Sequence, residues 1–167
     1  MAHHFEHTSR YTQPAETVRA ALAGEQYWKD RLAAIGGSRA ELSNVNESGG
    51  TVTVDVQQAV AADKLPSLVS KIRPGALVIR RTESIGPLDA GKASGQFSAI
   101  IDGAPATITG VKTIEPDGTG CVVRLDGNIE VKIPLVGGKI ESAIEGQLGR
   151  LFEMEDEFTE QWLTSQP

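Results

Sequence analysis

A chain of 167 residues has the length of one domain with a real core. Its net charge of −6 comes without the clustered Lys and Arg that nucleic acid or an anionic membrane surface demands, so neither is an expected partner. The lone cysteine, Cys121, excludes an internal disulfide and fits a reducing compartment. No apolar run reaches about 18 residues, and residues 1–6 lack the apolar segment of a signal peptide. The expectation is one cytosolic domain over 1–167, with no transmembrane segment.

Residues 3–12 alternate, with Phe5, His7, Ser9 and Tyr11 on one face and His4, Glu6, Thr8 and Arg10 on the other, which predicts a strand. Pro14 suits the first turn of a helix, and 15–23 reads as a short one with Val18, Ala21 and Leu22 inward. A second helix over 25–35 presents Tyr27, Trp28, Leu32 and Ile35 and stops at Gly36-Gly37. A meander follows, with strands at 39–46 and 51–58 joined across Glu47-Ser-Gly-Gly50. Val52, Val54 and Val56 mark the buried face of the second of these.

Residues 61–74 interrupt the meander with Leu65, Leu68, Val69 and Ile72 at helical spacing, a short helix that either caps a cavity or packs as a satellite. Four more strands, 76–85, 92–101, 106–115 and 120–132, are separated by turns rich in Gly, Pro and Asp. Their inward faces carry many small residues: Ala93, Gly95, Phe97, Ala99 and Ile101, then Ala106, Ile108, Gly110 and Ile114, then Cys121, Val123, Leu125 and Gly127.

Residues 139–164 form the clearest element. At 100° per residue, Ile140, Ile144, Leu148, Leu151, Met154, Phe158 and Trp162 fall on one face, and Glu145, Glu153, Asp156, Glu157 and Glu160 on the opposite, solvated one. The resulting rod is roughly 39 Å long at 1.5 Å per residue, and it needs a broad apolar surface to lie on. Gly146 and Gly149, off the apolar stripe, predict either a bend or loose turn or a straight helix that tolerates two glycines; Gly137 and Gly138 mark the turn before the helix.

Hairpin-joined strands give an antiparallel sheet with helices on one side, and seven strands twist enough to curl around one long helix. The expected class is α+β, a curved seven-stranded antiparallel sheet gripping a C-terminal helix, with two short N-terminal helices and a short inserted one. This layout resembles the START-like superfamily, also called the helix-grip or birch-pollen-allergen fold, which includes polyketide cyclases, coenzyme Q-binding proteins and lipid-transfer domains. The stretches 25–37, 63–66 and 131–141 (EQYWKDRLAAIGG, DKLP and VKIPLVGGKIE) are similar to an actinobacterial family of unknown function within it. The resemblance implies an internal cavity between sheet and long helix, open at one end; it does not imply one activity.

Small inward residues beneath a long helix mean close approach or a hollow, since interiors pack to a density of about 0.75; a hollow is the reading taken here. Its expected lining is Val54 and Val56, Leu68 from the lid, Ile79, Phe97, Ile108, Val123 and Leu125 from the sheet, and Ile144, Leu148 and Leu151 from the helix. Three polar members stand among them. Gln147 falls inside the apolar stripe, where a buried amide must find a partner. Arg81 and Glu83 share the strand face of Ile79 and Ile85; they hold a polar head group, pair with each other, or stand at an exposed strand end. His7 and Tyr11 share the Phe5 face, where a histidine could act as acid or base.

Lys112, with Arg39, Lys71, Arg73 and Arg80, reads as a scattered surface cation, and Cys121 as a small buried hydrophobe. Neither a phosphate loop nor a nucleophile elbow is present, and no cofactor or metal is expected. The first functional reading is binding or transport of a hydrophobic small molecule, a lipid, polyketide or isoprenoid-like compound. The alternatives are a cyclase or dehydratase-type enzyme using the same cavity, which needs His7, Tyr11, Glu83 and Glu155 to meet, and a protein-interaction module with a solid core.

Overall fold

The computed structural model describes residues 2–36, 40–60, 77–102 and 104–166. Strand β1 (His3–Tyr11) leads into helices α1 (Ala15–Leu22) and α2 (Glu25–Ile35). Strands β2 (Glu41–Ser48), β3 (Thr51–Val60), β4 (Leu77–Ile85), β5 (Ala93–Ile101), β6 (Ala106–Asp117) and β7 (Gly120–Val131) follow, then helix α3 (Gly137–Ser165). The expected inserted helix, Leu68 within it, and Arg39, Lys71 and Arg73 lie outside the described residues.

The strands form one antiparallel sheet in the order β1-β7-β6-β5-β4-β3-β2. Each strand from β2 to β7 pairs with the next, and β1 closes the far edge on β7, with His3 opposite Ile129 and Tyr11 opposite Cys121. Helices α1 and α2 carry the chain from that edge to the other. The β2–β3 turn tightens to Gly49-Gly50, at φ +60° and +84°, the left-handed pair that a two-residue hairpin requires.

Helix α3 is continuous over 29 residues, about 44 Å at 1.5 Å per residue. No break interrupts its hydrogen-bonded run at Gly146 or Gly149, and Gly137 and Gly138 form its first turn rather than a preceding loop. Its inner face differs from the hydrophobic stripe read from the sequence. Ile140, Ile144 and Leu148 face the sheet as expected, but the line then continues through Phe152, Glu155, Thr159 and Leu163. Met154 is 50% exposed. A hydrophobicity count assigns Leu151 and Met154 inward because it cannot foresee that Glu155 and Thr159 have buried partners.

The core divides in two. One cluster joins Val18, Leu22, Trp28, Val54, Val56 and Leu163 beneath α1 and α2. The other joins Phe5, Phe97, Ile108, Ile129, Ile140 and Phe152, with Ile79, Ile144 and Leu148 half-buried against it. The Phe152 ring meets Phe97 edge-on at 6.0 Å and stacks on Phe5 at 6.3 Å.

The small inward residues of the sheet do not leave the roomy hollow expected of them. A Cβ on Gly127 would lie 2.4 Å from the Thr109 carbonyl and 2.9 Å from the Phe5 ring, and one on Gly110 would lie 3.1 Å from Leu125. The missing side chains are replaced by neighbours. Gly127→Ala should therefore destabilise the fold by about 1–3 kcal/mol through overpacking. Gly149→Ala, on the helix with nothing within 4 Å, should stabilise it by about 0.5–1 kcal/mol. Urea unfolding of the two variants checks both signs.

Candidate functional site

Between the two apolar clusters lies a layer of charge. Arg81 and Glu83 stand two apart on β4, so both point to the inner face, and each is at least 95% buried. Glu155 of α3 accepts a two-pronged bond from Arg81, Nη1 to Oε2 at 2.6 Å and Nη2 to Oε1 at 2.8 Å, the geometry in which guanidinium and carboxylate pair best. Arg31 reaches in from α2, its Nη2 2.5 Å from Glu155 Oε2. Its guanidinium sits 4.4 Å over the Trp28 ring. Lys112 of β6 donates to Glu83 Oε1. The Arg81 Nε and Glu83 Oε2 atoms are 2.7 Å apart as an ion pair, without the alignment of a hydrogen bond. Thr159 donates to the Glu155 carbonyl at 2.7 Å, which makes the buried Tyr27 hydroxyl the donor to Thr159 at 2.6 Å.

A second polar group abuts the first. Asp156 accepts from His7 Nε2 at 2.7 Å, from Ser9 Oγ at 2.7 Å and from Tyr11 Oη at 3.2 Å. His3 bonds Glu145 at 2.6 Å, and Thr12 donates its N–H and hydroxyl to Glu160. Glu145, Asp156 and Glu160, expected to face solvent, instead stitch α3 to β1, while Glu153 and Glu157 are exposed as expected.

The two groups line a partly open cavity of about 50 Å³. That volume admits a few water-sized probes, at about 10–15 Å³ each, and is well below the roughly 300–1,000 Å³ of a drug-sized pocket. Its polar wall is His7, Ser9, Tyr11, Tyr27, Arg31, Arg81, Glu83, Lys112, Glu155, Asp156 and Thr159; its apolar wall is Leu22, Phe97, Val123, Leu125 and Phe152.

Of the residues expected to line a hollow, Arg81, Glu83, Phe97, Val123 and Leu125 do so. Val54 and Val56 are buried in the first apolar cluster and Ile108 in the second, away from the cavity. Ile79, Ile144 and Leu148 pack half-buried against the second cluster, and Leu151 and Gln147 are half-buried outside the cavity wall. Gln147 is therefore not the enclosed amide that its helical position suggested.

The sequence reading misses Arg31, Lys112 and Asp156. For Lys112 the signal is present: it sits on the inward parity of β6 between Gly110 and Ile114, and is 12% exposed rather than a surface cation. Arg31 occupies the helical stripe of Tyr27, Trp28 and Leu32 in the same way.

Electrostatics hold the layer charged. Burial works against ionising Glu83, but the positive charges of Arg81, Lys112 and Arg31 outweigh it and keep the carboxyl well below the usual carboxylate range. Burial opposes Glu155 likewise, and Arg31 and Arg81 hold it down. Burial disfavours both guanidinium charges, and Glu155 with Glu83 more than restores them. The hydrogen bond to Asp156 raises the His7 pKa against burial; burial first, then Asp156, raises that of Tyr11. Burial pushes the Cys121 thiol up to about 11, so it is no nucleophile at neutral pH.

The carboxylates of the layer are engaged by guanidinium and ammonium groups rather than arranged as metal ligands. On the outer face His4, Glu6 and Asp126 come within ligand range of one another, all exposed, with His4 bonded to Asp126 at 2.8 Å.

A seven-stranded antiparallel sheet of this order with one long C-terminal helix is a helix-grip fold. The profile of the family described as "Protein of unknown function (DUF2505)" matches residues 6–163, and the chain belongs to that family. The Uncharacterized protein Rv0481c of Mycobacterium tuberculosis is 33% identical over 172 residues, covering 99% of each chain. Among solved structures, the Zhui aromatase/cyclase from Streptomyces sp. R1128 superposes with a TM-score of 0.61 at 14% identity, covering 98% of this chain and 94% of that one. A START superfamily protein from Mycobacterium smegmatis superposes at 0.55 and 16% identity, covering 96% and 99%. At such identities the likeness is one of fold. Among the described residues no helix is long and apolar enough to cross a membrane.

Two outcomes follow. Removing one partner of a buried pair strands the other, so Arg81→Met should cost about 3–5 kcal/mol, whereas Arg81→Met with Glu155→Leu should cost less than the sum of the single changes; a double-mutant cycle in urea measures this. His7 should titrate above its ordinary 6.5. A raised folded-state pKa gives stability that is present in full below pH 6.5 and lost as pH rises through the higher value. In Asp156→Asn the His7 resonances should titrate back toward 6.5, followed by NMR.

Proposed function

We propose that the protein binds a hydrophobic small molecule between the sheet and α3, a lipid, polyketide or isoprenoid-like compound whose polar end sits at the charged layer. The observation that carries this is the composition of the cavity wall. Phe97, Leu125 and Phe152 belong both to that wall and to the second apolar cluster, so polar groups and an apolar path meet at one place. The cavity takes a polar end. The apolar body would lie toward the half-buried Ile79, Ile144 and Leu148, and covering apolar surface there supplies about 25 cal/mol per Å². Buried ion pairs are weak evidence of stabilisation, which favours a binding role for a layer placed in mid-core. The fold likeness to an aromatase/cyclase and to a START superfamily protein supports the same class. The reading keeps the protein in the cytosol, consistent with its single thiol, with a small molecule as its partner.

A second reading, a cyclase or dehydratase-type enzyme, rests on one further observation: His7, Tyr11, Glu83 and Glu155 line the same cavity, with His7 bonded to Asp156. Such a His–Asp pair is suited to moving a proton near neutral pH.

Native mass spectrometry of the protein after exposure to lipid and polyketide panels should show a one-to-one adduct, with a matching rise in Tm. Ile144→Arg, at the half-buried end of the helix, should abolish the adduct while leaving circular dichroism unchanged. An absence of adduct and of thermal shift across both panels would sink the binding proposal. Recovery of the bound compound unaltered after prolonged incubation would remove the enzymatic one.

A further inference from the structure

The charged layer is matched three to three in permanent charge, and its spare N–H donors define what it can hold. Every carboxylate oxygen in the cavity wall faces a cation or a hydrogen-bond donor, although Glu83 Oε2 meets Arg81 Nε only as an ion pair and accepts no hydrogen bond. Glu155 takes Arg81 at both oxygens and Arg31 at one. Glu83 takes Lys112 and the Nε side of Arg81. Asp156 takes His7, Ser9 and Tyr11.

The donors are not used up in the same way. Arg81 donates to Glu155 from both terminal nitrogens, and its Nε faces Glu83 as an ion pair only. Lys112 gives Glu83 one of its three ammonium protons, and it is the least buried of the three permanent cations. Arg31 commits Nη2 to Glu155. Trp28 covers one face of its guanidinium, and the residue forms part of the cavity wall.

Arg31, Arg81 and Lys112 balance Glu83, Glu155 and Asp156, and the wall becomes net positive when His7, bonded to Asp156, carries its proton. In a medium of low dielectric constant an unbalanced charge draws a counter-charge strongly. With His7 protonated, a single negative charge restores balance, while a doubly charged phosphate would overshoot it beside three carboxylates.

Resting on the binding reading above, we infer that the ligand is an apolar molecule bearing one carboxylate, and that this carboxylate docks in the cavity between Lys112 Nζ and the Arg31 guanidinium. The Arg81–Glu155 fork is then a fixed scaffold that holds Arg31 in place, not a ligand contact. Phe97, Phe152 and Leu125 receive the first carbons next to the carboxylate. The cavity of about 50 Å³ suits a head group of this size and excludes the remainder of the molecule.

The test uses matched pairs that differ only at the head: decanoate and decanamide, 4-phenylbutyrate and its amide, 2-naphthoate and 2-naphthamide. Each is titrated by calorimetry into the full chain. The acids should bind at least tenfold more tightly than their amides. Lys112→Met should bring acid and amide to within about threefold of each other without weakening the amide, and Lys112→Arg should keep the preference. Equal or inverted affinities in the native protein overturn the carboxylate assignment while leaving the binding reading intact. If no member of either series binds, both fall. Should Lys112→Met fail to fold, the acid-to-amide ratio of the native protein decides alone.

Discussion

The two-pronged bond between Arg81 of the sheet and Glu155 of the long helix sets the geometry of everything around it. A carboxylate enters a protein interior only if its charge is met there, and Glu155 is met twice, by Arg81 and by Arg31. That requirement fixes which side of α3 turns inward along its second half. With Glu155 inward, Phe152 one turn earlier reaches Phe97 and Phe5, and Thr159 one turn later reaches Tyr27. Asp156, the next residue round the helix, is carried to His7 on β1. One ion pair thus registers the rod against the wall, and α2 is drawn in through Arg31 and Tyr27.

The arrangement is an expensive way to hold a helix on a sheet. Apolar residues of similar volume usually do as well or better, because two desolvated charges recover little more than they lose. The layer also interrupts what would otherwise be one continuous core, separating the cluster beneath α1 and α2 from the one around Phe5, Phe97 and Phe152. Polar groups kept at such a place, around a small cavity, are the observation on which the proposed binding role rests. The carboxylates of the layer stay ionised at neutral pH because their partners hold them so. The stability they contribute is present above the ordinary carboxylate pKa of 4.5 and is lost as the pH falls below it.

The fold neighbours share the sheet and the gripped helix at 14–16% identity, so the architecture is a scaffold on which different interiors have been built. In this chain the interior is a charged layer backed by aromatic rings.

Periodicity alone was sufficient for the architecture. Alternation marks the strands, Gly and Pro mark the turns, and helical spacing marks α2 and α3, because local hydrophobic pattern and turn chemistry act over a few residues of chain. The inward parity of Arg81, Glu83, Phe97, Val123 and Leu125 was legible for the same reason. The rotation of α3 past Leu148 was not, since it is decided by charges supplied from β4 and α2, far away in the chain. Nor was the size of the cavity: Gly110 and Gly127 read as empty space until Leu125 and Phe5 are seen to occupy it. Residue type and spacing say which side chains can point inward; only the packed molecule decides which of them meet, because pairing of buried charge is a property of distance in space and not along the sequence.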